Sequence, residues 1–229
     1  TGVIGQPLSI EPIARGIPEL VRELSEKGSD AAAQGIMTTD TVNKEIAVTF
    51  PLGGKTVTLG GMCKGSGMIH PNMCTMLGYL ATDCAVSPAL MQKALNDVVQ
   101  DTFNMITVDG DTSTNDTLLL FSSGLAGNRP ITAEDESYEL FRSALFTVCQ
   151  DLAKLMASDG EGATHLLEVR VVHADTRENA RILARSVAGS SLVKAMVFGR
   201  DANCGRILCA LGYAGVDFDP AVIELYLVG

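Results

Sequence analysis

The stretch EIAVTFPLGGKTVTLG, residues 45–60, sets two β-branched segments on either side of a Pro-Leu-Gly-Gly break. Alternation of period two gives each segment one face for a core and one for solvent, so the stretch predicts a hairpin. Helical patterns lie on both sides of it. In EPIARGIPELVRELSEKGSD (11–30), Ile13, Ile17, Leu20, Val21 and Leu24 recur at helical spacing, and Gly28 is a stop signal. PALMQKALNDVVQDTF (88–103) is a second amphipathic helix. NMITVDGD (104–111) and TLLLFSSG (117–124) read as strands around the polar turn GDTSTND.

Further on, ESYELFRSALFTVCQDLAKLMASDG (136–160) is the clearest helix, with Leu140, Phe141, Ala144, Leu145, Val148, Leu152 and Leu155 on one face. LLEVRVV (166–172) reads as a strand, and Asp175 with Glu178 forms a capping-box start for a helix over 175–190. VKAMVFG (193–199) reads as a strand, and CGRILCALGYAG (204–215) as a short helix ending at glycine. Strands and helices alternate with a hairpin among them, so the fold class is α/β, mixed with α+β character.

The 229 residues are 46% hydrophobic and 19% charged, enough for one large core or two subdomains. The net charge of -10 lacks the basic stripe that nucleic-acid binding requires, and no partner of that kind is expected. No apolar run reaches the roughly 18 residues of a membrane span, so no membrane partner is expected and the cytoplasm is the expected location. Cys63, Cys74, Cys84, Cys149, Cys204 and Cys209 sit in apolar or glycine-rich elements without CxxC spacing, and read as reduced, buried thiols. The three histidines form no metal-spaced pair, so no metal is expected. Asp109, Asp111, Asn115 and Asp116 lack the distal Glu of an EF-hand and read as a hydrogen-bonded turn. The start without Met and the stop just after an apolar run suggest a piece of something longer.

The chemistry concentrates in GMIHPNMCTMLGYLATDC (67–84), preceded by the cationic, glycine-punctuated GGMCKGSG (60–67). A threonine hydroxyl becomes a useful nucleophile when its own free amine removes its proton. An internal Thr75 gains that amine only if the Cys74–Thr75 bond opens, by an N→O acyl shift that moves the Cys74 acyl group onto Oγ and hydrolysis of the resulting ester. As a bare dipeptide, Cys74-Thr75 is a weak signal and reads first as an N-cap before the apolar run MLGYLATD. Thr1 stands where a mature N-terminal nucleophile would, yet Thr1-Gly2 also offers the hydroxyl and approachable N–H of an oxyanion hole. His70, five residues before Thr75, invites a general-base role that an N-terminal threonine does not need.

TGVIGQPL, GIMTTDT, GGMCKGSGMIHPNMCTMLGYLATD, FNMITVDGDTSTNDT, SDGEGATHLLEV, VKAMVFGRDANCGRI and GYAGVDFDP, in this order, span essentially the whole chain. Together they resemble the bifunctional ornithine acetyltransferase/glutamate N-acetyltransferase family of arginine biosynthesis. The resemblance implies a layered sandwich of sheets and helices of the ornithine acetyltransferase/aminopeptidase type. It implies self-cleavage between Cys74 and Thr75, giving residues 1–74 as the end of an alpha chain and 75–229 as the start of a beta chain, the two assembling as a hetero-oligomer. Thr75 would carry the acetyl group, Thr1 and Gly2 would form the oxyanion hole, and Thr38, Lys64 and Glu161 would contact substrate. The family's further N-terminal residues, and the C-terminal segment that completes its substrate site, have no counterpart in these residues.

The substrates implied are N-acetylornithine and glutamate, both zwitterions, for which Lys64 supplies a cation and Glu161 an anion. The mechanism implied is ping-pong through acetyl-Thr75, with no cofactor and with acetyl-CoA as an optional co-substrate. The residue before the cut, often alanine in the family, is Cys74 here, a second potential nucleophile beside the scissile bond. His165 stands where the family often has lysine. Two other readings use the same residues: a self-processing aminopeptidase or amidase that passes the acyl group to water, and an inactive fragment.

Overall fold

The computed structural model describes residues 5–70 and 76–228. Within them, a sheet of four strands runs in sequence order: β1 (Lys44–Leu52), β2 (Lys55–Lys64), β3 (Leu77–Thr82) and β4 (Thr117–Ser122). The β1–β2 hairpin turns on Gly53 and Gly54, both left-handed with φ of 57° and 75°, and Leu52 pairs with Lys55. Two consecutive positive φ values define the tight turn whose twist matches that of paired strands, and glycine reaches them without a Cβ clash. β2 pairs antiparallel with β3, and β3 pairs parallel with β4.

The parallel step needs a crossover, and α3 (Pro88–Val99) makes it. Ser87 caps that helix by accepting from Leu90 N–H, and Pro88 sits at its first position. α4 (Glu136–Ser158), capped by Asp135, lies over β1 and β2 and against α3. Its Phe141, Leu145, Val148, Leu152 and Met156 are fully buried, each worth about 1.5–3 kcal/mol of transfer free energy. The buried face is rotated slightly from the expected stripe, since Met156 joins it and Leu140 is largely exposed. Ile46, Val48 and Phe50 of β1 and Val57, Leu59 and Cys63 of β2 meet this helix, as the period-two pattern predicts.

A second, smaller core joins α5 (Arg177–Gly189), α6 (Ser191–Phe198) and α7 (Cys204–Gly212) around Val187, Val193, Met196, Ile207 and Ala210. Before the sheet stand α1 (Glu11–Arg22) and α2 (Ser29–Ile36). The apolar stripe of α1, Ile13, Ile17, Leu20 and Val21, is exposed, and no described residue covers it.

Several expectations change. VKAMVFG is helical, not a strand: Ser190 accepts from Val193 N–H, and Val193, Met196 and Val197 share one helical face that the β-branched composition disguised. NMITVDGD is a 3-10 turn (Phe103–Met105) and a loop, because the Asp109 carboxylate gathers the N–H groups of Met68, Ile69 and Asp111. LLEVRVV is irregular, with no described strand beside it. α5 is capped by Thr176 rather than Asp175, whose carboxylate accepts instead from Thr176 N–H and the Asn179 side chain. The apolar run after position 75 is strand β3, so there is no helix there for Thr75 to cap.

Candidate active site

The C-terminal end of β2 and the N-terminal ends of β3 and β4 meet at one edge of the sheet, where Lys64 pairs with Leu77 and Leu77 with Thr117. Alternation places Lys64 on the face opposite Cys63, away from α4. Lys64 Nζ donates to Thr38 Oγ1 at 3.3 Å. Met76 is also fixed here: its N–H donates to Asp116 at 3.1 Å and its carbonyl accepts from Thr117 N–H. Burial pushes the Asp116 carboxyl up, against the lowering effects of Met76 N–H, Ser113 and the nearby Lys64. Thr1, Gly2, Cys74 and Thr75 lie outside the described residues.

The loop after Lys64 is held from four directions. Gly65 N–H donates to Asp40 at 2.7 Å, and the Ser66 and Thr39 hydroxyls share a hydrogen bond of 2.5 Å. The Ser66 carbonyl accepts from Glu161 N–H at 2.7 Å. Beyond it, Met68 is left-handed at φ 54°, a conformation uncommon for a side chain with a Cβ. Asp109 keeps it there by accepting from Met68 N–H at 2.6 Å and from Ile69 N–H at 3.0 Å. Glu161 is exposed just past α4, and its carboxylate lies against Gly67. Thr38 and Lys64 are thus in direct contact, and Glu161 joins them through the Gly65–Gly67 loop.

Three residues that the sequence reading passed over organise this edge. Lys44 is buried, with its ammonium 2.6 Å from Asp40 and 2.5 Å from Asp159. Asp40 also accepts from Thr38 N–H at 3.1 Å, and Asp159 from the N–H and hydroxyl of Thr41. Burial by itself would raise both carboxyls, but the Lys44 ammonium and the surrounding N–H and O–H donors more than offset it and hold both below the ordinary value. Asp40 and Asp159 sit inside the TTDT and SDGEGAT segments. The available signal was a lysine four residues beyond the first aspartate.

His70 Nδ1 lies 3.2 Å from Thr107 Oγ1, a contact that orients its ring. Among the described residues, no three His, Cys, Asp or Glu side chains cluster to hold a metal ion, and no helix is long and apolar enough to cross a membrane. The expectation of buried thiols fits Cys63, Cys84 and Cys149, whereas Cys204 and Cys209 on the small helix α7 are exposed. An amphipathic helix of nine residues has too narrow a buried face to cover them.

What this edge presents is a cation and a hydroxyl on one side of a glycine loop and a carboxylate on the other, a set suited to a small zwitterion. The ArgJ family model matches residues 1–229, and the chain belongs to the ArgJ family. It is 54% identical over 227 residues to the arginine biosynthesis bifunctional protein ArgJ of Symbiobacterium thermophilum, covering 99% of this chain and 56% of that protein. The ArgJ of a Synechococcus strain is 52% identical over 219 residues, covering 96% and 53%. The crystal structure of arginine biosynthesis bifunctional protein argJ from Bacillus halodurans superposes with a TM-score of 0.60 at 46% identity, covering 62% of this chain and 66% of that one. The chain spans about half the length of the curated relatives it matches.

Proposed function

We propose that the protein of which this chain is part moves an acetyl group from N-acetylornithine to glutamate in arginine biosynthesis, through an acetyl ester on Thr75. The observation that carries the reading is the meeting of Thr38, Lys64 and the Glu161 loop at the end of the sheet where Met76 leads into β3. Self-cleavage at Cys74–Thr75 divides the chain into residues 1–74 and 75–229, and gives Thr75 a free amine. That amine takes the Oγ proton, and Oγ attacks the acetyl carbonyl. Thr1 and Gly2 donate to the oxyanion, where one donor is worth about 2.7–4 kcal/mol of barrier. The tetrahedral intermediate collapses by breaking the C–N bond, and ornithine leaves with the proton. Glutamate's amine then attacks the ester and restores the Thr75 hydroxyl. Lys64 and Thr38 receive the substrate carboxylate and Glu161 the ammonium. The reaction calls for no cofactor, with acetyl-CoA as an optional co-substrate, and the cytoplasm is the setting.

The test is a paired assay on the full-length parent protein, following acetylglutamate formation and acetate release with N-acetylornithine as donor. Acetylglutamate as the main product, lost in Thr75→Ala, supports the reading. Acetate without acetylglutamate would replace it with an amidohydrolase.

A further inference from the structure

The three proposed substrate residues come from three separate pieces of chain, and one buried ammonium links them. Asp40 is two residues from Thr38 and binds its N–H; the same carboxylate binds Gly65 N–H, next to Lys64. Asp159 is two residues before Glu161, whose own N–H is tied to Ser66 in the Lys64 loop. Between the two carboxylates stands Lys44, its side chain 0% exposed, with Asp40 at 0% and Asp159 at 7%. We infer that Lys44 is a positioning residue: by clamping Asp40 and Asp159 together it sets the spacing of Thr38, Lys64 and Glu161, and with it the affinity for amino-acid substrates. The inference rests on the reading of those three residues as substrate contacts.

The local charge explains why a lysine holds this place. Two carboxylates within reach of one nitrogen repel each other, and only a cation between them lets both ionise out of contact with water. Lys44 starts β1 on the strand face turned toward α4, and from there its ammonium reaches both Asp40 in the TTDT loop and Asp159, the residue ending α4. Thr41 adds two further ties, donating its N–H and hydroxyl to Asp159. Neither Lys44 nor Asp159 is assigned any contact with substrate, so their effect must pass through the residues they hold.

The experiment measures KM and kcat for N-acetylornithine and glutamate in the full-length parent protein. The variants are Asp159→Asn, Lys44→Met, Thr41→Val and the direct substitution Lys64→Met, with melting temperature and self-cleavage checked for each. Asp159→Asn keeps the shape and weakens the clamp; KM should rise about tenfold or more for both substrates while kcat stays within about threefold. If Lys44→Met or Asp159→Asn fails to fold, Thr41→Val, a change at an exposed residue, should still raise KM about threefold. Unchanged KM in a folded Asp159→Asn or Thr41→Val, alongside a raised KM in Lys64→Met, overturns the clamp and leaves the substrate site standing. Unchanged KM in Lys64→Met overturns both.

Discussion

The carboxylate of Glu161 rests so closely on Gly67 that a Cβ added there would stand 2.6 Å from Oε2. The obstructing atom is the end of a flexible side chain, and the Gly67 backbone is not left-handed, so Gly67→Ala should fold normally and displace Glu161 instead. The melting temperature should shift by no more than a few degrees, while KM for the amino-acid substrates rises about tenfold. Steady-state kinetics beside a thermal melt separates the two effects.

Gly61 presents the opposite case. A Cβ there would meet Leu80 Cδ2 at 2.4 Å, the Tyr79 carbonyl at 3.1 Å and Leu152 Cδ1 at 3.2 Å, between the sheet and α4. Packed side chains and a strand backbone cannot all retreat, so Gly61→Ala should destabilise by about 1–3 kcal/mol. Urea denaturation should show a lower midpoint at an unchanged slope.

The buried clamp gives a pH signature with a definite sign. Asp40 and Asp159 are held below their ordinary value of 3.8 in the folded state. Their stabilisation is therefore fully present above that value, and is lost as pH falls through the lower folded values. Lys44→Met inverts the sign. Two buried carboxylates without their cation are raised, so the variant should lose about 3–5 kcal/mol near pH 7 and recover part of it toward pH 5. Denaturation curves at the two pH values would contradict the clamp if both proteins responded alike.

The thiols should divide by burial. Burial raises Cys63 and Cys149 to about 12 and Cys84 to about 11, leaving almost no thiolate near neutral pH. Brief alkylation of the native protein followed by peptide mass mapping should label Cys204 and Cys209 and spare those three. All should react once the chain is unfolded.

Periodicity made α4, α3 and the hairpin readable, because each buries one face against a neighbour that the same pattern supplies. It misassigned VKAMVFG, where valines suggest a strand but a serine cap and i, i+3, i+4 spacing make α6. It passed over β3, whose Leu77–Thr82 run pairs on both sides with strands distant in sequence. At the site, Lys64, Thr38 and Glu161 were readable as motif residues. The carboxylates that hold them were not: Asp40 and Asp159 act on backbone N–H groups up to 118 residues away, and no local spacing encodes such partners.

The central claim concerns the Thr75 hydroxyl, and the most direct measurement is mass spectrometry of the full-length parent protein mixed with N-acetylornithine and quenched before glutamate is added. The account predicts a polypeptide beginning at Thr75, heavier by one acetyl group that maps to its first residue and disappears when glutamate follows. An uncut Cys74–Thr75 bond in an active enzyme, or an acetyl group on any other side chain, would contradict it.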